Sequence, residues 1–156
     1  MTDKPNLQIV EVIKPTLTMT SIPPLDKIQE ALAIGQMLAP DSYVSLFTAL
    51  YIHGINYQLP DQIDYISKHA KIYNINQKIY NFRRIKPDIL CNLLGIEQKA
   101  GYMLASPERA ICDTIYLYPQ SSFDYLGSIN KDRLYDIAKD YVSKSLLKKI
   151  EKLCQV

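Results

Sequence analysis

The sequence has only three cysteines and two histidines among its 156 residues. Cys91, Cys112 and Cys154 are far apart and odd in number, which argues against a disulfide framework and against a zinc knuckle. We expect three reduced, partly buried thiols. His53 and His69 are too few for a histidine-rich metal site, so no bound metal is expected. A catalytic cysteine–histidine pair stays open, although no nucleophile signature surrounds any cysteine.

Glycine is equally scarce, with five residues that never cluster into a phosphate-binding loop. The sequence contains no GxxxxGK[ST], GxGxxG, HExxH or GxSxG motif. These absences argue against a nucleotide site of a familiar kind, and we expect no cofactor.

Long apolar runs are also missing. No run approaches the ~18 residues of a transmembrane helix, and the N-terminus lacks the basic and apolar segments of a signal peptide. We therefore expect a cytoplasmic protein that does not contact a membrane. The length suits one domain with a sizeable core.

The net charge of +2 is too small to indicate a nucleic-acid binder by itself. Its distribution is more informative, because residues 131–156 hold seven Lys/Arg against four Asp/Glu. Residues 1–130 hold eleven against twelve, so the basic excess belongs to the C-terminal segment.

Hydrophobic periodicity predicts an α+β fold: a small, mostly antiparallel or mixed sheet packed with several helices, and a helical C-terminal third. Helical patterns run from Asp26 to Pro40, from Ser45 to Gly54, over Pro107–Tyr118, over Asp124–Ser128, after Asn130, and after Ser143 or Ser145. Strand patterns occur at Leu7–Val12, Thr16–Ile22, Ser42–Val44, Gln62–Ser67, Tyr102–Ala105, and Ile72–Ile85, the last divided by a turn near Asn74, Asn76 and Gln77. Ile89–Leu94 fits either a strand or one helical turn.

The phrase ASPERAICD reads as a helix start, with Ser106 as N-cap, Pro107 at the first helical position and Glu108 in the first turn. Glu108 and Asp113 lie about 140° apart around a helix, so they do not converge on a metal or a water. Arg109 and Asp113 are spaced for an i,i+4 ion pair. We expect a structural role for these residues. Contact of Glu108 or Arg109 with a partner is the alternative, followed by a catalytic carboxylate.

His53 precedes Gly54 at a predicted helix end, where the helix macrodipole favours a histidine and its ring can bond the last carbonyls. A contact or catalytic role for His53 is the alternative. No catalytic residue is predicted.

Basic residues occur in two groups. One is interleaved with aromatic residues in the predicted strands, and the other forms an i, i+4, i+8 stripe in the last helix. Such groups bind nucleic acid or an acidic protein surface, or form an ordinary solvated face. The candidate contacts are Arg83, Arg84, Lys86, Lys144, Lys148 and Lys152.

Several phrases occur in a fixed order along residues 26–153. They are Tyr43-Val44-Ser45, His53-Gly54, the strand phrase Tyr80–Lys86, Leu94-Gly95-Ile96, and Ser106-Pro107-Glu108-Arg109 with Asp113 and Tyr116. In this order they resemble the antitoxin of AbiEi-type bacterial toxin–antitoxin pairs from abortive-infection systems.

The resemblance implies a domain that neutralises a cognate nucleotidyltransferase-like toxin, preceded in the family by a winged helix-turn-helix that represses transcription. Residues 1–25 are too few for that DNA-binding part, so we expect an N-terminal extension at 1–25 and an antitoxin domain at 26–156. The expected function is a non-enzymatic interaction module. A DNA- or RNA-binding transcriptional regulator is the alternative. An enzyme that transfers a phosphoryl group to the toxin, as proposed for some relatives, is the third hypothesis.

Overall fold

Residues 25–155 are described by a computed structural model, in which six helices pack against one six-stranded mixed sheet. The predicted α+β class is confirmed. The strands predicted at Leu7–Val12 and Thr16–Ile22 lie outside the described residues. Within the described part, no helix combines the length and apolar character that crossing a bilayer requires.

The elements follow the predicted order. The helices are α1 (Leu25–Leu38), α2 (Leu46–Ile52), α3 (Pro87–Leu90), α4 (Pro107–Leu117), α5 (Lys131–Lys139) and α6 (Lys144–Cys154). The strands are β1 (Tyr43–Val44), β2 (Ile63–Ser67), β3 (Lys71–Ile75), β4 (Lys78–Arg84), β5 (Ile96–Lys99) and β6 (Tyr102–Ala105).

The strand order in the sheet is β3-β4-β2-β1-β6-β5. The two outer pairs, β3–β4 and β5–β6, are antiparallel hairpins, whereas β2–β4 and β1–β6 are parallel. The short strand β1 lies at the centre, where Tyr43 pairs with Ile66 and Val44 with Leu104. Within residues 25–155, these two residues join the halves of the sheet.

The two faces of the sheet carry different helices. Alternation along β2 places Tyr65 on the face covered by α1, where its hydroxyl donates to the Leu32 carbonyl at 2.8 Å. Asp64 and Ile66 therefore lie on the opposite face, beside α2 and α4. The chemistry-bearing residues described below are on this second face.

Helix α4 is more deeply buried than its pattern predicts. The sequence indicates one apolar face, but every residue from Glu108 to Ile115 is buried. The helix contacts β6, α2, α5 and α6, so it has no side turned to solvent along this stretch. Its polar side chains consequently need partners inside the protein.

The divided strand is confirmed, with a two-residue turn at Asn76 and Gln77 in which both have positive φ, as type I′ hairpin turns require. Asn74 belongs to β3 and not to the turn.

One predicted element is absent from the structure, and one strand of the structure is not predicted. The helix expected at Asp124–Ser128 is wrong, since those residues form bends and turns. Strand β5 is not predicted from sequence, because three of its four residues are polar and its alternation is weak. Of the ambiguous segment Ile89–Leu94, only Ile89 and Leu90 are helical, as the end of the single-turn helix α3, and the remaining residues form turn and irregular structure.

Candidate functional site

The motif around Ser106 begins helix α4 as predicted. Ser106 is the N-cap, and its Oγ accepts a hydrogen bond from the N–H of Arg109 at 3.1 Å. Pro107 and Glu108 occupy the first turn. Gly95 packs against this corner with a φ of +83°, and a Cβ there would lie 3.0 Å from that of Arg109. The corner therefore requires glycine both for its conformation and for its space.

The guanidinium of Arg109 is almost completely buried, at 1% exposure. Its Nη1 donates to the carbonyls of Asn92 at 2.7 Å and Leu94 at 2.8 Å. Its Nη2 donates to the Ile89 carbonyl and to the Tyr43 hydroxyl, both at 2.9 Å. Arg109 thus ties α4 to the irregular segment after α3 and to the central strand.

The Asp113 carboxylate completes this network. Its Oδ2 accepts hydrogen bonds from Tyr43 Oη at 2.9 Å and from Ser45 Oγ at 2.7 Å, and its Oδ1 accepts one from the hydroxyl of Tyr141. The Arg109 Nε lies 3.6 Å from Oδ1. Burial raises the pKa of Asp113, an effect that outweighs the lowering by Arg109 and by the three hydroxyl donors.

The side chain of Ser45 does not cap the helix that begins beside it. Ser45 occupies the N-cap position of α2 but makes no side-chain cap hydrogen bond. Its hydroxyl is used by Asp113 instead, so the helix start is tied to α4.

Glu108 and Asp113 face different partners, as predicted. Glu108 Oε2 accepts a hydrogen bond from the Asn130 N–H at 2.9 Å, and Oε1 lies 3.8 Å from Arg133 Nε. The first carboxylate therefore holds the start of α5, and the second holds the interior network. They do not form a catalytic pair.

These positions give the motif a structural role. A ligand cannot reach Arg109 at 1% exposure or Asp113 at 0%. Tyr116, on the same helix, packs edge-on to Tyr141 with ring centroids 5.5 Å apart. We name the set Tyr43, Ser45, Arg109, Asp113 and Tyr141 the buried network.

His53 differs from its prediction. It is the C-cap of α2, and Gly54 follows with a φ of +75°, as expected for a helix end. However, the ring Nε2 lies 2.7 Å from the carbonyl of Ala105, at the end of β6, and not from a carbonyl of its own helix. The imidazole therefore links α2 to the strand that leads into α4.

The basic residues of β4 do not form one surface. Arg83 is half-buried on the helical face, where it donates to the Tyr118 hydroxyl and lies 4.8 Å from that ring's centroid. Arg84 is exposed and, by alternation, points to the other face. Lys86 is exposed at the N-cap of α3. Arg83 has an intramolecular role, which leaves Arg84 and Lys86 as accessible candidates.

The lysine stripe of α6 lies in solvent as predicted. Lys144, Lys148 and Lys152 are all exposed, while Leu146 and Ile150 are buried on the opposite side of the helix. Among residues 25–155, none of these three lysines takes part in a salt bridge. The stripe is thus a row of unneutralised positive charge.

A cleft that sequence reasoning does not predict opens beside β2. It has a volume of about 670 Å³ and lies between α2, the loop before β2 and the loop after α4. We name it the Asp64 cleft. Its lining residues are Phe47, Asn56, Gln58, Leu59, Pro60, Asp61, Gln62, Asp64, Gln120, Ser121, Ser122 and Asp124.

Asp64, at 1% exposure, is the buried carboxylate in the wall of this cleft. Its Oδ1 accepts hydrogen bonds from Gln62 Nε2 at 3.0 Å and Asn81 Nδ2 at 3.1 Å. Its Oδ2 is buried and forms no well-aligned hydrogen bond among the described residues, although the Phe47 N–H acts on the carboxylate and lowers its pKa.

Burial raises the pKa of Asp64, against smaller lowering effects of Asn81, Gln62, the Phe47 N–H and the charge of Arg83. The folded state therefore holds the Asp64 proton more tightly than the unfolded state does. Stability from this group is greatest below the unfolded pKa and falls as pH rises through the folded one.

We expect Asp64→Asn to be more stable than the parent protein at pH 7 by about 1 kcal/mol, because the amide removes a buried charge. The difference should shrink as the pH falls through the raised pKa of Asp64, where the carboxyl gains its proton. Urea unfolding at several pH values measures this. A variant less stable than the parent at pH 7 would show that the charged carboxylate stabilises the fold.

The position of Asp64 in the sequence contains a signal of its burial. It stands inside the apolar run Ile63-Asp64-Tyr65-Ile66, where a carboxylate interrupts a buried strand. The partners that form the cleft come from loops distant in sequence, which no local pattern brings together.

Among the described residues, no group of three or more His, Cys, Asp or Glu side chains is placed to hold a metal ion. Comparison with models of protein families and with curated proteins yields no match to this chain. The geometry and the motif resemblance therefore carry the functional inference.

Proposed function

We propose that the chain is a protein-interaction module of antitoxin type that binds and neutralises a nucleotidyltransferase-type toxin. The observation that carries the proposal is the unneutralised lysine stripe of α6, formed by Lys144, Lys148 and Lys152. The AbiEi-like order of motifs supplies the class of partner.

The stripe is suited to docking because its geometry is fixed. Helix α6 is capped by Ser143, whose Oγ accepts from the Leu146 N–H at 3.2 Å, and it is anchored by Leu146 and Ile150. Three charges at i, i+4 and i+8 point from one face of an anchored helix. Such a row steers and orients an acidic partner surface.

In this proposal the lysines face acidic toxin surface around the carboxylates that bind the toxin's metal. Arg84 and Lys86 are accessible, but Arg84 points to the sheet face opposite α4 and Arg83 is held by Tyr118, so the proposed contact surface is the α6 stripe. Neutralisation would follow from covering the toxin's active site and needs no chemistry from this chain.

The test is the charge reversal Lys144→Glu with Lys148→Glu. We expect toxin affinity to fall at least about tenfold, since reversed charges at an acidic interface replace attraction by repulsion. Titration calorimetry with the purified toxin measures the affinity, and a toxin-rescue assay measures neutralisation.

The matched control is Lys68→Glu with Lys71→Glu, two exposed lysines at the β2–β3 turn that change the net charge equally. This control should bind like the parent protein. Unchanged affinity in the Lys144/Lys148 variant would exclude the stripe as the docking surface.

The same stripe also fits phosphate groups, so a nucleic-acid-binding regulator is the second candidate function. Binding that weakens steeply with salt and is abolished by the α6 reversal would favour it. A null result with DNA and RNA at low salt would remove it.

A further inference from the structure

A strained and exposed valine lies in the turn between α5 and α6. Val142 has a φ of +51°, in the left-handed region that a β-branched side chain rarely adopts. Glycine or asparagine adopts this conformation with less strain. The Val142 side chain is 89% exposed, so packing inside the chain does little to offset that strain. Valine at this position therefore opposes folding and indicates a contact with another molecule.

Two further exposed apolar side chains, Leu93 and Leu94, lie in the loop after α3. The residue before them, Asn92, donates from Nδ2 to Asp140 Oδ2 at 2.8 Å. Asp140 is two residues before Val142, so this hydrogen bond places the loop beside the α5–α6 turn. We name Leu93, Leu94 and Val142 the apolar patch.

The loop that carries the two leucines is held in one conformation. Its Asn92 and Leu94 carbonyls accept hydrogen bonds from the buried Arg109, and Asn92 Oδ1 accepts one from the Leu94 N–H at 3.0 Å. At the end of the loop, a Cβ on Gly95 would lie 2.8 Å from Ile137 Cδ1 of α5. Binding at the apolar patch therefore does not have to order this loop first.

The apolar patch continues directly into the lysine stripe. Val142 is followed by Ser143, the N-cap of α6, and then by Lys144, the first lysine of the stripe. An apolar centre bordered by positive charge complements a protein surface whose apolar centre is bordered by carboxylates. A second copy of this chain would place one lysine stripe near another, and phosphate groups offer nothing apolar. Charge complementarity thus favours an acidic protein as the occupant.

We propose that Val142, supported by Leu93 and Leu94, is the apolar anchor of the toxin interface and inserts into an apolar depression beside the toxin's carboxylates. This inference rests on the proposed function and adds a contact that is not ionic. The lysines accelerate association, whereas the apolar patch slows dissociation.

The experiment compares Val142→Asn with the parent chain in two measurements. Asparagine tolerates a positive φ, so the unfolding equilibrium constant in urea should fall at least about twofold. The Kd for the purified toxin should rise about tenfold, as expected for losing one buried valine side chain, mainly through faster dissociation. Damage to the fold does not produce higher stability together with weaker binding.

Two variants serve as controls. Val142→Ile keeps the branched apolar side chain and should bind within about threefold of the parent. Ile72→Thr removes an exposed apolar side chain from β3, at the sheet edge opposite β5, and should bind like the parent. A Val142→Asn variant less stable than the parent would show that the valine acts within the fold, and would overturn the proposal.

Salt separates the apolar patch from the lysine stripe. At about 1 M salt the Debye length is about 3 Å. The loss of affinity caused by Lys144→Glu with Lys148→Glu should then nearly vanish, whereas the loss caused by Val142→Asn should persist. Parent-like dissociation of Val142→Asn, with binding still weakened by the lysine reversal, would overturn the anchor and leave the proposed function standing. A toxin that does not bind the parent chain would overturn both.

Discussion

Asp113→Ala is expected to lower the free energy of unfolding by about 3–5 kcal/mol, the range for breaking a buried ion pair by removing one partner. The variant leaves the Arg109 guanidinium buried with an uncompensated charge. It also removes the acceptor of three hydroxyl groups, those of Tyr43, Ser45 and Tyr141. Urea unfolding followed by circular dichroism measures the loss.

Asp136→Ala is the matched control, because it makes the same change in a helix at an exposed site. The Asp136 side chain is 65% exposed, and its loss should change stability by less than about 0.5 kcal/mol. If Asp113→Ala is too unstable to fold, the milder Asp113→Asn can be compared with the Asp136 control instead. The structural role of the buried network would be contradicted if either Asp113 variant lost no more unfolding free energy than the Asp136 control.

Arg109→Met tests the same network from the other side. Arg109→Met and Asp113→Asn each leave one buried charged group without its partner. The double variant removes both charges, so no unpaired charge is buried. We therefore expect the double variant to cost less than the sum of the two single variants, as seen for residues in one network. Additive costs would show that Arg109 and Asp113 act independently.

Gly35→Ala is expected to destabilise the protein by about 3 kcal/mol, the upper part of the range for overpacking a core. Alanine is normally the better helix former by about 1 kcal/mol. Here a Cβ would lie 2.0 Å from Oη and 2.2 Å from Cζ of Tyr65. That ring is held by stacking on Phe82, at a centroid distance of 4.6 Å, and by its hydrogen bond to Leu32. Thermal or urea unfolding measures the change.

The control for Gly35→Ala is the same substitution in a Tyr65→Leu background. Leucine lacks the Oη, Cζ and Cε1 atoms that the new Cβ would meet. In that background alanine should be neutral or stabilising, since only helix propensity is left to act. An equal loss of unfolding free energy in both backgrounds would show that the Tyr65 ring is not what the new Cβ meets.

Sequence patterns predict five of the six helices and most strands because their signals are local, although the helix predicted at Asp124–Ser128 is not formed. Ser106-Pro107 and Asn130 begin helices where capping chemistry places them, and Asn76-Gln77 forms the turn of the long β segment. The polar strand β5 is missed because it owes its conformation to pairing with β6. The burial of α4 on all sides is likewise a property of tertiary packing.

The site is less predictable than the fold. Spacing alone indicates that Glu108 and Asp113 diverge and that Arg109 pairs with Asp113. It does not indicate that Tyr43, which precedes α4 in the chain, and Tyr141, which follows it, contact the Arg109–Asp113 pair. Nor does it indicate that Arg83 is held by Tyr118 or that Asp64 lies in a cleft wall. Each of these contacts joins segments distant along the chain, for which a single sequence contains no signal.

The two-residue strand β1 has a consequence for the order of assembly. The hairpins β3–β4 and β5–β6 join neighbouring segments, so little chain entropy opposes their closure. Val44, in contrast, must find Leu104 far along the chain before the halves of the sheet meet. Local contacts form fastest in such topologies. We therefore expect the sheet to assemble from its edges toward its centre, with the pairing of β1 forming last.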